Sequence, residues 1–213
     1  MMDFWSALLS TIDVALIEAT ALTAWEAIAV VLAAAYLVLA MKGSIWCWVA
    51  AFASTAIYTA LFWKVSLLME SVLNVYYMAM AVYGFNQWTK GRSGDAAIGV
   101  ISWSLQRHVK LISVTAIISV VVGYLMSTYT QASFAYLDAA TTCFAVMTTY
   151  LVAKKVLENW LYWVVIDFVS IYLYLQKGLM LTSLLFIMYV GMAIGGYFLW
   201  RTAMSEQVKE SRA

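Results

Sequence analysis

From residue 24 onward the chain is a succession of long apolar runs separated by brief polar breaks. The runs cover about 24–41, 44–62, 67–88, 109–126, 135–153, 157–176 and 179–200. Each is close to the ~20 residues that an α-helix needs to cross a hydrocarbon core, and far longer than a barrel strand. The pattern therefore predicts an all-α integral membrane protein with seven transmembrane helices. The breaks are short except between the third and fourth runs, where 89–110 is polar and basic, and 201–213 forms a polar tail. Ahead of the first run, Trp5, Leu8, Leu9, Ile12 and Leu16 recur at helical spacing, while Asp3, Asp13 and Glu18 interrupt them. That combination predicts a short amphipathic helix over 1–22 lying on the membrane surface, and no positively charged n-region marks it as a signal peptide.

The apolar pattern repeats. At an offset of 114, Tyr36-Leu37-Val38 aligns with Tyr150-Leu151-Val152, Trp46 with Trp160, and Ile57-Tyr58 with Ile171-Tyr172. At 112, Tyr77, Met80, Ala81, Gly84 and Trp88 align with Tyr189, Met192, Ala193, Gly196 and Trp200. Spans one to three thus return as spans five to seven. Three spans are an odd number, so joining two copies directly would invert the second; one extra crossing, span four, makes them parallel. The expectation is a 3+1+3 parallel repeat about an axis along the membrane normal, the layout of the SWEET sugar transporters. Its parts are a first repeat over 24–88, a basic loop and linker helix over 89–126, a second repeat over 135–200 and the tail. Two similar halves can rock about a site between them. A homo-oligomer is compatible with this plan.

Charge orients it. Lys42, Lys90, Arg92, Arg107, Lys110, Lys154, Lys155, Arg201, Lys209 and Arg212 fall on one side, and only Lys64 and Lys177 on the other. Positive residues accumulate on the cytoplasmic side, so the N-terminus is expected outside and the C-terminus in the cytoplasm. Composition agrees with a membrane protein: 65% hydrophobic and 11% charged, against nearer half and a quarter in soluble domains. A net charge of +1 implies no nucleic-acid partner. Cys47 and Cys143 lie inside apolar runs as free thiols, and with a single histidine and no metal-spaced cluster neither metal nor cofactor is expected. No nucleophile elbow or phosphate loop is present, so the chain does not read as an enzyme. Proline is absent, which leaves glycines or bulges to supply any bend.

Against this background one stretch stands out. In the sixth span Asn159, Trp163, Asp167, Ser170 and Tyr174 recur at four, four, three and four residues and share a helix face. Asp167 lies ten residues from the cytoplasmic end, about 15 Å deep at 1.5 Å per residue, where a carboxylate is costly and generally functional. At the 114 offset these positions fall on Ile45, Val49, Ala53, Ala56 and Ala60, so the polar stripe reads as private to one half. In the third span Asn74 and Tyr77 share a face at a similar depth, and Gln87 lies near the cytoplasmic end. Trp46 and Trp48 are the remaining aromatic candidates. Aromatic faces stack on planar rings and attract cations, so aromatics around one deep carboxylate suit a flat, positively charged ring. Glu26, Glu70 and Asp138 at the outer ends can draw such a solute in, though solvated interfacial charge is the plainer reading.

Trp25-Glu26 opening span one, Trp46-Cys47-Trp48, Tyr83-Gly84-Phe85-Asn86-Gln87-Trp88, Asn159-Trp160 with Trp163, and Lys177-Gly178-Leu179 occur in order on this repeat. The sequence resembles the PnuC family of bacterial nicotinamide riboside transporters across nearly all of 24–200. The resemblance implies facilitated diffusion of nicotinamide riboside across the bacterial inner membrane, without ATP or a coupling ion, and trapping by a cytoplasmic riboside kinase. It also implies nucleoside binding through Trp46, Trp48, Asn74, Gln87, Asn159 and Trp163. The substrate's chemistry fits: aromatics for the pyridinium ring, Asn or Gln for the carboxamide, Asp167 or Ser170 for a hydroxyl or the charge. Two other readings stay open, a carrier of another flat vitamin such as thiamine and a seven-helix ligand-sensing receptor. The absence of lysine from 179–200 argues strongly against a retinal protein.

Overall fold

The computed structural model describes residues 24–64, 68–93 and 99–210; the surface helix expected over 1–22 lies outside them. Among the described residues there are seven helices: α1 (Ala24–Met41), α2 (Trp46–Lys64), α3 (Leu68–Ser93), α4 (Leu105–Tyr129), α5 (Ala135–Ala153), α6 (Asn159–Gln176) and α7 (Met180–Glu210). They coincide with the seven apolar runs. Two extend beyond them. α3 continues into the polar segment as far as Ser93, and α7 carries most of the expected tail as helix to Glu210; neither stretch contains a proline.

Four of the helices, α1, α2, α4 and α7, are long and apolar enough to cross a membrane by composition alone. The shortfall in α3, α5 and α6 comes from polar side chains, and all three contribute to an internal cavity described below. The helices contact one another as a closed ring, α1–α2–α3–α5–α6–α7 and back to α1. α4 stands outside, packed on α5.

Local contacts recur at a spacing of 112 residues. At the α1–α2 turn Gly43 N–H donates to Ala40 O (2.9 Å) and Ser44 N–H to Leu39 O (2.9 Å); at the α5–α6 turn Lys155 N–H donates to Val152 O (2.9 Å) and Val156 N–H to Leu151 O (3.0 Å). Gly43 and Lys155 both have positive φ, 65° and 51°. Glycine takes that conformation without strain, whereas lysine must be held there, and the Lys155 ammonium rests 4.5 Å from the centroid of Trp88. Near the opposite ends, Ser71 Oγ donates to Thr59 O (3.0 Å) and Ser183 Oγ to Ile171 O (3.5 Å).

The same spacing organises the core. Gly84 lies flat against the Trp48 indole and Gly196 against Trp160. Trp88 meets Trp48 edge-on (5.4 Å, 84°), Trp200 meets Trp160 edge-on (5.4 Å, 89°), and Trp88 and Trp200 join the two pairs at 6.2 Å. Trp88 Nε1–H donates to Ala153 O (3.1 Å) and Trp200 Nε1–H to Ala40 O (3.0 Å). Each bond closes the ring, from α3 to α5 or from α7 to α1. The sequence alignment at 114 in span two is thereby corrected: the buried partner of Trp160 is Trp48, not Trp46.

Candidate functional site

Inside the ring lies a cavity of about 390 Å³, within the range of small-ligand sites. All six ring helices line it and α4 does not. Its walls pair at the same spacing: Leu37 with Thr149, Trp48 with Trp160, Ala51 with Trp163, Thr55 with Asp167, and Tyr77 with Tyr189. Trp48 and Trp160 belong both to the wall and to the tryptophan cluster. Seen from the cavity, that cluster is a packed plug at the end where α1 meets α2 and α5 meets α6.

Six of the candidate residues lie on the wall: Trp48, Tyr77, Trp163, Asp167, Ser170 and Tyr174. Four do not. Trp46 opens α2 and is 64% exposed, turned outward by two residues relative to Trp48. Asn74 is half-buried off the wall, its Nδ2 donating to Glu70 O of its own helix at 2.9 Å. Gln87 is also off the wall, at the far end of α3 beside the tryptophan cluster's Trp88. Asn159 is fully buried, and its Nδ2 donates to Val156 O at 2.7 Å, which fastens the start of α6.

The wall also contains residues that the sequence pattern did not single out: Tyr36, Ser54, Thr55, Thr141, Thr142, Thr149, Trp160 and Tyr189. The signal for several was available. Extending the 112 spacing of Gly84/Gly196 back into span two aligns Trp48 with Trp160 and Thr55 with Asp167. The stripe is then not opposed by apolar residues alone.

Most of the wall's small hydroxyls are turned onto backbone. Ser54 Oγ donates to Ala29 O (2.9 Å), Thr55 Oγ1 to Ala51 O (2.8 Å), Thr141 Oγ1 to Leu137 O (3.0 Å) and Thr149 Oγ1 to Ala145 O (2.9 Å). Asp167 differs: it is 4% exposed, and among the described residues its carboxylate has no hydrogen-bond or ion-pair partner. Tyr174 stacks on Phe186 (5.2 Å, 26°), which in turn meets Tyr189 edge-on (5.5 Å, 73°). This aromatic layer lines the cavity at the end away from the tryptophans. Just beyond it, the Lys177 ammonium bridges both Asp138 oxygens (2.7 and 3.0 Å) and lies 5.9 Å from the Tyr174 ring. The arrangement can hold a small, flat solute between aromatic faces beside one negative charge. Among the described residues no second carboxylate and no histidine, lysine or cysteine lies on the wall.

The family model for nicotinamide mononucleotide transporters matches residues 23–202. The chain belongs to that family. Among its relatives are the nicotinamide riboside transporters PnuC of Escherichia coli and of Shigella flexneri, each 22% identical over 182 residues, covering 72% of this chain and 75% of theirs. The riboflavin/roseoflavin transporter RibM of Streptomyces davaonensis is 24% identical over 167 residues, covering 77% of this chain and 78% of its own. The crystal structure of the vitamin B3 transporter PnuC superposes with a TM-score of 0.68 over 93% of this chain and 90% of that one, at 18% identity. The fold is therefore that of the vitamin B3 transporter PnuC.

Proposed function

We propose that this protein carries nicotinamide riboside across the bacterial inner membrane by facilitated diffusion, and that a cytoplasmic riboside kinase keeps the solute inside by phosphorylating it. The observation that carries the reading is the cavity: lined by six helices, aromatic on several sides, with one carboxylate and no basic side chain on its described wall. A pyridinium nucleoside finds stacking faces and a counter-charge there. Its phosphorylated product, carrying extra negative charge, finds neither a clamp nor a favourable field. The PnuC relatives support the same substrate.

The 112-residue recurrence of turns, tryptophan contacts and cavity walls supports a 3+1+3 plan of two parallel repeats, with α4 as the linking crossing. The lysine and arginine asymmetry supports an outside N-terminus and a cytoplasmic C-terminus. Transport then consists of the two halves rocking about the cavity, with the tryptophan plug on the inner side and the Tyr174–Phe186–Tyr189 layer on the outer side. Solute contact is assigned to Trp48, Tyr77, Trp160, Trp163, Asp167, Ser170 and Tyr174, with Tyr36 and Tyr189, and not to Trp46, Asn74, Gln87 or Asn159.

The test is uptake of labelled nicotinamide riboside by proteoliposomes, with and without the protein. Uptake should be faster with protein, saturable, indifferent to ATP and to ion gradients, and at least tenfold slower in Trp163→Ala. Uptake no faster than in empty vesicles sinks the substrate assignment. The RibM relative gives a flavin the standing of a second reading, and riboflavin uptake in the same vesicles decides between the two.

A further inference from the structure

The described wall of the cavity carries a single carboxylic acid, Asp167, which sits differently from Asp138 and Glu158. Asp138 is paired with Lys177 at 2.7 Å. Glu158 accepts from Ser102 Oγ, and from Trp103 N–H at 3.4 Å, with His108 Nε2 at 3.5 Å. Asp167 is 4% exposed on the cavity wall, and its carboxylate has neither a hydrogen-bond nor an ion-pair partner among the described residues. Isolating an ionised carboxylate from water costs several kcal/mol unless a counter-charge accompanies it. No lysine, arginine, histidine, asparagine or glutamine lies on the described wall to serve. A cationic solute would supply the missing counter-charge.

The pairing of the walls adds a second element. Thr55 occupies the position of Asp167 in the other half, 112 residues earlier, and also faces the cavity. Its hydroxyl is committed to Ala51 O at 2.8 Å and Phe52 O at 3.2 Å. That position therefore presents a neutral surface on an equivalent stretch of helix. We infer that Asp167 selects solutes by charge. The cavity takes a flat-ringed monocation in preference to a neutral or anionic analogue of the same shape, and Thr55 marks a second position from which the same selection can be exercised. This rests on the cavity being the solute site, but not on which flat vitamin is carried. The chemistry has three parts: the carboxylate neutralises the cation on one side, aromatic faces hold it on the others, and a neutral analogue leaves the carboxylate as unpaired as before.

Equilibrium binding in detergent to matched pairs of solutes tests it. Nicotinamide riboside is compared with its neutral dihydro form, and thiamine with its neutral thiophene analogue 3-deazathiamine, with riboflavin as a neutral flavin. The wild-type chain should bind at least one cation tenfold or more tighter than its neutral partner. Asp167→Asn and Asp167→Ser should each reduce that ratio at least tenfold, while Asp167→Glu should keep most of it. The double variant Thr55→Asp/Asp167→Thr should regain at least part of it. Melting temperatures of the variants without solute identify those that have simply lost the fold, and the two neutral replacements serve as checks on each other.

Equal binding of cation and neutral partner by the wild type overturns the inference, as does tight binding of riboflavin alone. An undiminished ratio in the folded Asp167→Asn or Asp167→Ser variant also overturns it. A double variant no better than Asp167→Asn overturns the role given to Thr55. Charge-selective binding of thiamine without binding of nicotinamide riboside would sink the proposed substrate and leave charge selection standing. Binding of none of these solutes overturns both.

Discussion

Gly84 and Gly196 are small because a tryptophan ring lies where a side chain would project. A Cβ on Gly196 would come within 2.7 Å of three atoms of the Trp160 indole, and one on Gly84 would run into the Trp48 indole in the same way. Neither indole can swing aside, since each is wedged edge-on against a second tryptophan. Gly84→Ala and Gly196→Ala should therefore each destabilise the protein by about 1–3 kcal/mol, the usual cost of overpacking, read as a lower melting temperature in detergent. The two substitutions bear on one connected tryptophan cluster, so their combined effect should depart from the sum. At this scale the sequence was informative about identity and less so about direction. Glycine and tryptophan at matching positions announced a repeated contact, but Trp46 and Trp48 differ by two residues. Two residues on a helix are about 200° of rotation at 3.6 residues per turn, the difference between facing outward and facing the core.

At the scale of elements, the segment before α4 is tied to the start of α6. Ile101 N–H donates to Lys155 O (3.0 Å) and Leu157 N–H to Ile101 O (2.8 Å), a short parallel bridge. Glu158 gathers Ser102, Trp103 and His108, and His108 Nδ1 lies 2.9 Å from the Tyr162 hydroxyl. Among the described residues no counterpart to this clamp recurs 112 residues earlier. Glu158→Ala leaves several polar groups without their acceptor and should cost about 1–3 kcal/mol, with Glu158→Gln milder because it keeps an acceptor oxygen. Asp138→Asn, across the better-hydrated Lys177 pair, should cost no more than about 1 kcal/mol. Chemical denaturation followed by tryptophan fluorescence ranks the three; a larger loss from Asp138→Asn than from Glu158→Ala would contradict this account of the clamp. Element identity was legible in the hydrophobic pattern, since runs near the span length of a helix leave few alternatives. The clamp was not, because contacts between Ser102 and Glu158 or His108 and Tyr162 join distant stretches that no periodicity relates.

At the scale of the whole molecule, the ring of six helices is held together by two interfaces that close it, α3 against α5 and α7 against α1. Each carries a tryptophan-to-backbone hydrogen bond near the plug, and Tyr76 OH adds a bond to Val146 O at 3.0 Å in the first. These interfaces would have to shift if the halves rock. The proposed orientation places Lys42 and Lys177 on opposite sides of the membrane, which a labelling experiment reads directly. In intact cells a membrane-impermeant maleimide should modify Lys177→Cys but not Lys42→Cys, and permeabilisation should expose the latter. The reverse pattern would overturn the charge-based orientation. The native Cys47 is buried and Cys143 half-buried, so the unsubstituted chain supplies the background.

Seven helices and their approximate limits were determined by the sequence itself, because span length and the 3.6-residue period are properties of a single chain segment in contact with lipid. The placement of Asp167 among the wall residues was also within reach, since a carboxylate in an apolar helix has few tolerable surroundings. The register between the halves was decided only by tertiary structure, since several offsets give similar apolar matches and only close packing of Gly84 on Trp48 and Gly196 on Trp160 separates them. The same holds for the side groups that complete the cavity. Tyr36, Thr149 and Tyr189 face it because of how their helices are rotated in the ring. Asn74 and Asn159, equally polar in sequence, turn their amide Nδ2 onto nearby backbone instead. A hydrogen bond to the residue's own helix and a place on a cavity wall look alike along the chain, and only the surrounding helices distinguish them.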